Sequence, residues 1–133
     1  MIKSVTYLSR REAERTIGMR HMGIISICDT ESAGAKLKGR WGGVLRIHFD
    51  DVEREWQGYI PMGREDAEKI LAWLWANVAG FKKLFVHCEA GISRSFAVAE
   101  FVGEKYGIPV DGPNKARPNS VVGQWLRQVD RGD

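Results

Sequence analysis

Cys88-Glu89-Ala90-Gly91-Ile92-Ser93-Arg94-Ser95 sets a thiol and a guanidinium six positions apart, with a glycine between them. A thiolate is a strong nucleophile, and the planar fork of an arginine grips two oxygens of a tetrahedral anion at once. The spacing alone decides little. With two cysteines and twelve arginines in 133 residues, an Arg falls six places after some Cys with a chance of roughly 0.18. Context adds what spacing lacks. Lys83 to His87 is predicted to be a strand and Phe96 to Tyr106 a helix, so the segment has a strand–loop–helix order. Gly91 permits the turn that aims backbone N–H groups inward. A ring of Glu89, Ala90, Gly91, Ile92 and Ser93 amides, backed by the positive end of a helix, is a nest for a phosphate-like dianion. The same field favours the Cys88 thiolate. Reading Cys88 as a core cysteine and Arg94 as a surface residue explains neither the glycine nor the helix.

The elements that must hold this loop follow from periodicity. Met1 to Leu8 reads as a first strand, and Ser9-Arg10-Arg11-Glu12 as a capping box opening a short helix that stops near Gly18. Gly23 to Cys28 is an apolar run, expected as a buried strand, and Asp29 to Gly43 reads as loop. Val44 to Phe49 alternates as a strand and ends at Asp50-Asp51. Val52 to Gly63 reads as loop. Ala67, Ile70, Leu71, Leu74, Trp75 and Val78 mark an amphipathic helix over Arg64 to Val78, closed by Gly80. Gly107 and Pro109 close the helix after the loop. Asn119 to Asp130 is the last helix, with Asn119 or Ser120 as its cap. Alternating strands and helices predict one α/β domain over residues 1–133, with a mixed, largely parallel sheet of about four to five strands flanked by helices. Ligands of such sheets bind beyond the carboxyl ends of the strands, where the Cys88 loop falls.

Composition narrows the class. The chain is long enough for a core without disulfide or metal staples, and Cys28 and Cys88 are its only cysteines, as expected of a reducing, cytoplasmic setting. No apolar stretch approaches the length of a membrane span, and no export signal is expected at the N-terminus. The formal charge of +3 is spread along the chain, so no nucleic-acid partner is expected. A mild positive field suits an anionic substrate. Trp41, Trp56, Trp73, Trp75 and Trp125 line an interface or fill the core, and the oligomeric state stays open.

His87 to Ser95 resembles the signature loop of the protein tyrosine phosphatase superfamily, and Ala90 to Ser95 is especially similar to its dual-specificity branch. Arg117-Pro118-Asn119 through Gln124-Trp125-Leu126 resembles that branch's C-terminal Pro-Asn…Gln-Leu segment. The likeness covers Val44 to Leu126; the first forty residues match only in strand pattern. It implies the cysteine-phosphatase fold and hydrolysis of phosphotyrosine, with phosphoserine and phosphothreonine, in protein or peptide substrates through a phosphocysteine intermediate. Cys88 would be the nucleophile, Arg94 and the loop amides the phosphate ligands, and Ser95 the hydrogen bond to sulfur. His87 and Asn119 would be supporting residues. No metal or cofactor is implied, because arginine and amides supply the electrostatics.

The resemblance also requires a general acid on a loop after the preceding strand. Leu45, Ile47 and Phe49 share a face that Asp51 continues, which favours Asp51, with Asp50 the alternative. Cys28 ends a strand whose counterpart in some relatives carries a cysteine near the nucleophile. It is either a redox partner of Cys88 or a small buried apolar residue. The compact chain implies a shallow pocket, and Glu89 stands where phosphoinositide-directed relatives tend to carry lysine. A phosphatase for a non-protein phosphate, such as an RNA 5′ end or a phosphoinositide, and a non-catalytic phosphate-binding module are the alternatives.

Overall fold

The computed structural model describes residues 1–113 and 117–133. Along the chain it forms β1 (Ser4–Ser9), α1 (Arg10–Arg15), β2 (Ile17–Gly18), β3 (Met22–Cys28), β4 (Lys38–Gly39), β5 (Gly43–His48), α2 (Arg64–Asn77), β6 (Lys83–Cys88), α3 (Arg94–Tyr106), β7 (Val110–Asp111) and α4 (Ser120–Asp130). A 3-10 turn, Val78–Gly80, follows α2. Five strands make one sheet in the order β5-β3-β6-β1-β7, and β2 pairs with β4 in a separate two-stranded sheet.

Every pairing in the central sheet is parallel, which corrects the expectation of a mixed sheet. The physical reason lies in the connections. No two sequential strands of this sheet are joined by a tight hairpin; each returns through a helix or a long crossover, which delivers the next strand in the same direction. β3 is buried at all seven positions because both of its neighbours are strands and both of its faces are covered, hence its unbroken apolar run.

One face carries most of the core. Ile25, Ile27 and Val86 from the sheet meet Ile70 and Leu74 of α2, Val98 and Val102 of α3, and Val122 and Leu126 of α4. Full burial of each such side chain contributes about 1.5–3 kcal/mol. The opposite face is thinner: Leu8, Ala13 of α1 and Ile24 pack with Trp41 and Phe85.

Three local expectations shift. The Ser9–Glu12 capping box forms, but α1 ends at Arg15, because extended Thr16 breaks it and the chain enters β2. The expected Asp29–Gly43 loop contains β4, paired to that strand. α3 begins at Arg94 rather than Phe96, so Arg94 and Ser95 sit in its first turn. Because the strands are parallel, Ser9, Cys28, His48 and Cys88 all end at one edge of the sheet. The chemistry gathers there.

Candidate active site

β6 delivers Cys88 to the carboxyl edge between β3 and β1, and the chain turns through residues 89–93 into α3. Gly91 makes the turn with φ +72, and a Cβ there would fall 2.4 Å from the Ser9 nitrogen. Glycine is therefore required twice, by conformation and by the close approach of the β1 backbone. The Arg10 N–H donates to the Glu89 carbonyl at 3.2 Å, bracing the loop from behind. The Glu89 side chain turns to the same side, 3.3 Å from an Arg10 guanidinium nitrogen. Arg10 also donates to Ser32 and to the Gly34 carbonyl.

The Cys88 Sγ accepts the Gly91 N–H at 3.3 Å and is hydrogen-bonded to Ser95 Oγ at 3.1 Å. Among the described residues, the amides of Glu89, Ala90, Ile92 and Ser93 donate to no protein acceptor. Free amides around a thiol, at the positive end of a thirteen-residue helix, form an anion cradle.

His87 stands behind the cradle, fully buried. Its Nδ1 lies 3.2 Å from the Cys88 carbonyl and its Nε2 2.6 Å from Ser26 Oγ. A carbonyl only accepts, so Nδ1 carries a proton and donates to it, while Nε2 pairs with the serine hydroxyl. Burial, the largest influence, holds its pKa below the ordinary histidine value.

Arg94 is 4% exposed, and its Nη1 donates to Asp29 Oδ1 at 2.8 Å and to the Phe49 carbonyl at 2.7 Å. Among the described residues, its buried Nε has no hydrogen-bond partner. Both anchors hold the same nitrogen, so the other edge of the fork stays free for two acceptor oxygens. Asp29 is the site residue that sequence reasoning missed. Its signal was its place directly after β3; its contact with Arg94, 65 residues on, depends on sheet order.

The neighbouring aspartates diverge. Asp50 is buried. It accepts from the Thr30 N–H and hydroxyl at 3.0 and 2.8 Å and from the Ile60 N–H at 2.8 Å. Burial raises its pKa, but those bonds and the Arg94 charge outweigh it and leave the value lowered. Asp51 is exposed, and its Oδ1 accepts from Ser93 Oγ and from Asn119 Nδ2, each at 3.0 Å. The premise of strand phase fails here, since β5 stops at His48 and Phe49 and Asp50 are both buried. The residue at the cradle is nevertheless Asp51.

Asn119 joins three elements. Its Oδ1 caps α4 through the N–H groups of Val121 and Val122, its Nδ2 holds Asp51, and its own N–H donates to the Ser93 carbonyl at 3.3 Å. Asp51 lines two clefts. One of about 380 Å³ contains Arg94, Asp29, Trp56 and Tyr59; the other, of about 540 Å³, contains Ile92, Ser93 and Asn119.

Cys28 stays apart. Both cysteines are free thiols. Cys88 belongs to the main core with Ile25, Ile27 and Val86, while Ile24, of the same phase as Cys28, belongs to the opposite face. By the same alternation Cys28 lies on the face that carries Ile24, opposite the main core. A Cys28–Cys88 disulfide is absent, and alternation along β3 and β6 turns the two side chains to opposite faces.

Among the described residues, no group of three or more His, Cys, Asp or Glu side chains is arranged as a metal-ligand set. None of the described helices is long and apolar enough to cross a membrane. No family model matches the chain, and neither a curated protein nor a solved structure matches it.

Proposed function

We propose that this chain is a metal-independent, cysteine-dependent phosphomonoester hydrolase of the dual-specificity phosphatase type. Its substrates would be phosphotyrosine, with phosphoserine and phosphothreonine, in cytoplasmic proteins. The observation that carries the reading is the cradle itself: a thiol bonded to Gly91 and Ser95, ringed by free amides, with one edge of the Arg94 fork unpartnered.

The proposed chemistry uses each residue once per step. The dianion binds the free amides of residues 89, 90, 92 and 93 and the free edge of Arg94, while Asp29 and the Phe49 carbonyl keep that edge aimed. The Cys88 thiolate attacks phosphorus as the phosphorus–oxygen ester bond breaks, and the leaving oxygen takes a proton from Asp51. The Asp51 carboxylate then takes a proton from water as the water oxygen attacks phosphorus and the sulfur–phosphorus bond breaks. The thiolate departs with the Gly91 N–H and the Ser95 hydroxyl donating to it. Stabilisation by fixed donors of this kind is worth about 2.7–4 kcal/mol per donor in measured cases. Asn119 and Ser93 would set the position of the acid, and His87 would hold the Cys88 carbonyl.

Hydrolysis of p-nitrophenyl phosphate without added metal tests the reading. The wild type should turn over and Cys88→Ser should not. A wild type that binds phosphate but hydrolyses no ester would make the chain a binding module instead.

A further inference from the structure

Beside the cradle, the segment after Asp51 folds back on itself. Trp56 and Tyr59 form an isolated antiparallel bridge, with Tyr59 N–H donating to the Trp56 carbonyl at 2.8 Å. The two residues between them, Gln57 and Gly58, have φ +48 and +84, the signs of the tight turn that closes a two-residue hairpin. Gln57 is the one non-glycine residue with positive φ among the described residues, a conformation that costs an L-residue about 1–2 kcal/mol.

The base of this miniature hairpin is fixed. Asp50 N–H donates to the Ile60 carbonyl at 2.7 Å, and the Asp50 carboxylate accepts the Ile60 N–H and clasps Thr30. A buried carboxylate thus holds a strained tip in one place. The tip carries two aromatic rings, 6.1 Å apart and inclined by only 19°, which remain 53% and 50% exposed. Stacking between the pair adds roughly 0.2–1 kcal/mol to the hairpin. It does not account for why the rings line the same cleft as Arg94 and Asp51.

We propose that the Trp56–Tyr59 hairpin is a specificity element that receives the aryl ring of the substrate, so that the site favours aryl over alkyl phosphates. This rests on the phosphatase reading of the same site and deepens it. An aryl phosphate presents a dianion and a flat apolar ring joined by one oxygen. The cleft brings Arg94, the Asp51 carboxyl and the exposed aromatic pair into one space, alongside Asp29 and Asp50. A serine or threonine phosphate offers no ring for the wall, and its short side chain leaves that wall uncovered. Aromatic contacts gain from ring geometry in addition to buried area, so the preference has a source that an aliphatic wall would lack.

Calorimetric titration with two non-hydrolysable probes, phenylphosphonate and methylphosphonate, tests this without needing turnover. The wild-type protein should bind phenylphosphonate about tenfold more tightly, the scale of one aromatic contact with its buried area. In Trp56→Leu and Tyr59→Leu, which keep apolar bulk and lose the ring, that ratio should fall to about twofold. Trp75→Leu, on the far exposed face of α2, should keep it. Methylphosphonate affinity reports whether the cradle is intact in each variant. Equal affinity of the wild type for both probes, or a ratio that survives in both hairpin variants, overturns the inference and leaves the phosphatase reading standing. Failure of the wild type to bind either probe overturns the phosphate-site reading and the inference together.

Discussion

Two loops meet at the carboxyl edge of the sheet and are built in opposite ways. Residues 88–95 are braced from behind, by the β1 backbone against Gly91 and by Arg10 on the Glu89 carbonyl, and leave the amides of residues 89, 90, 92 and 93 free among the described residues. Residues 50–60 are held from within, by a buried Asp50 that has committed both oxygens to Thr30 and Ile60, and leave Asp51, Trp56 and Tyr59 outside. The first loop offers donors and the second offers an acid and a wall. An anion site needs fixed dipoles pointing at vacant space, whereas an acid and a binding wall need a rigid mount with an exposed tip.

Breaking the first loop should have the larger effect. Arg94→Lys replaces a bidentate fork with a point charge, and kcat/KM for p-nitrophenyl phosphate should drop by about 10³-fold, following the upper range for a transition-state donor. Asp51→Asn should lower kcat about 10²-fold. Asp50→Asn should instead act on the mount. It leaves buried donors on Thr30 and Ile60 without a charged acceptor, costing about 1–3 kcal/mol in denaturant unfolding. Equal kinetic losses in the Asp50 and Asp51 variants would dissolve the contrast between the two aspartates.

Asp29→Asn sharpens the same contrast. It keeps an acceptor for Arg94 Nη1 but removes the ion pair, so KM should rise about tenfold for a loss near 1.4 kcal/mol, and Asp29→Glu should recover part of it. The smallest effect is in stability at low pH. His87 has its folded pKa lowered by burial, so its contribution is intact above the unfolded value near 6.5 and is lost as pH falls toward the folded value, where only the unfolded chain takes the proton. His87→Gln should flatten that part of the unfolding curve.

The first loop was legible in the sequence because its parts are consecutive: Cys88, Gly91, Arg94 and Ser95 lie within one turn and the helix start. Asn119 was legible as a cap, though its reach to Asp51 was not. The second loop was hidden because its logic is long-range. Thr30 meets Asp50, and Asp29 meets Arg94, only once β3, β5 and β6 are neighbours, and strand order is not written in local periodicity. The choice of Asp51 came through a phase argument that the structure breaks at Phe49 and Asp50, since a buried polar residue at a strand end follows its hydrogen bonds rather than the pleat. The Trp56-Gln57-Gly58-Tyr59 turn is not legible as a hairpin, because one positive-φ position falls on glutamine, which carries no turn signal.

The central claim is that the Cys88 sulfur carries the phosphoryl group between the two steps. Acid quenching during turnover of an aryl phosphate, followed by mass spectrometry of the peptide containing Cys88, measures it directly. One phosphoryl group should appear on the Cys88 sulfur and accumulate in Ser95→Ala, where departure of the thiolate is slowed. An actively hydrolysing wild type and Ser95→Ala variant with no adduct, or with the group on another residue, would contradict the account.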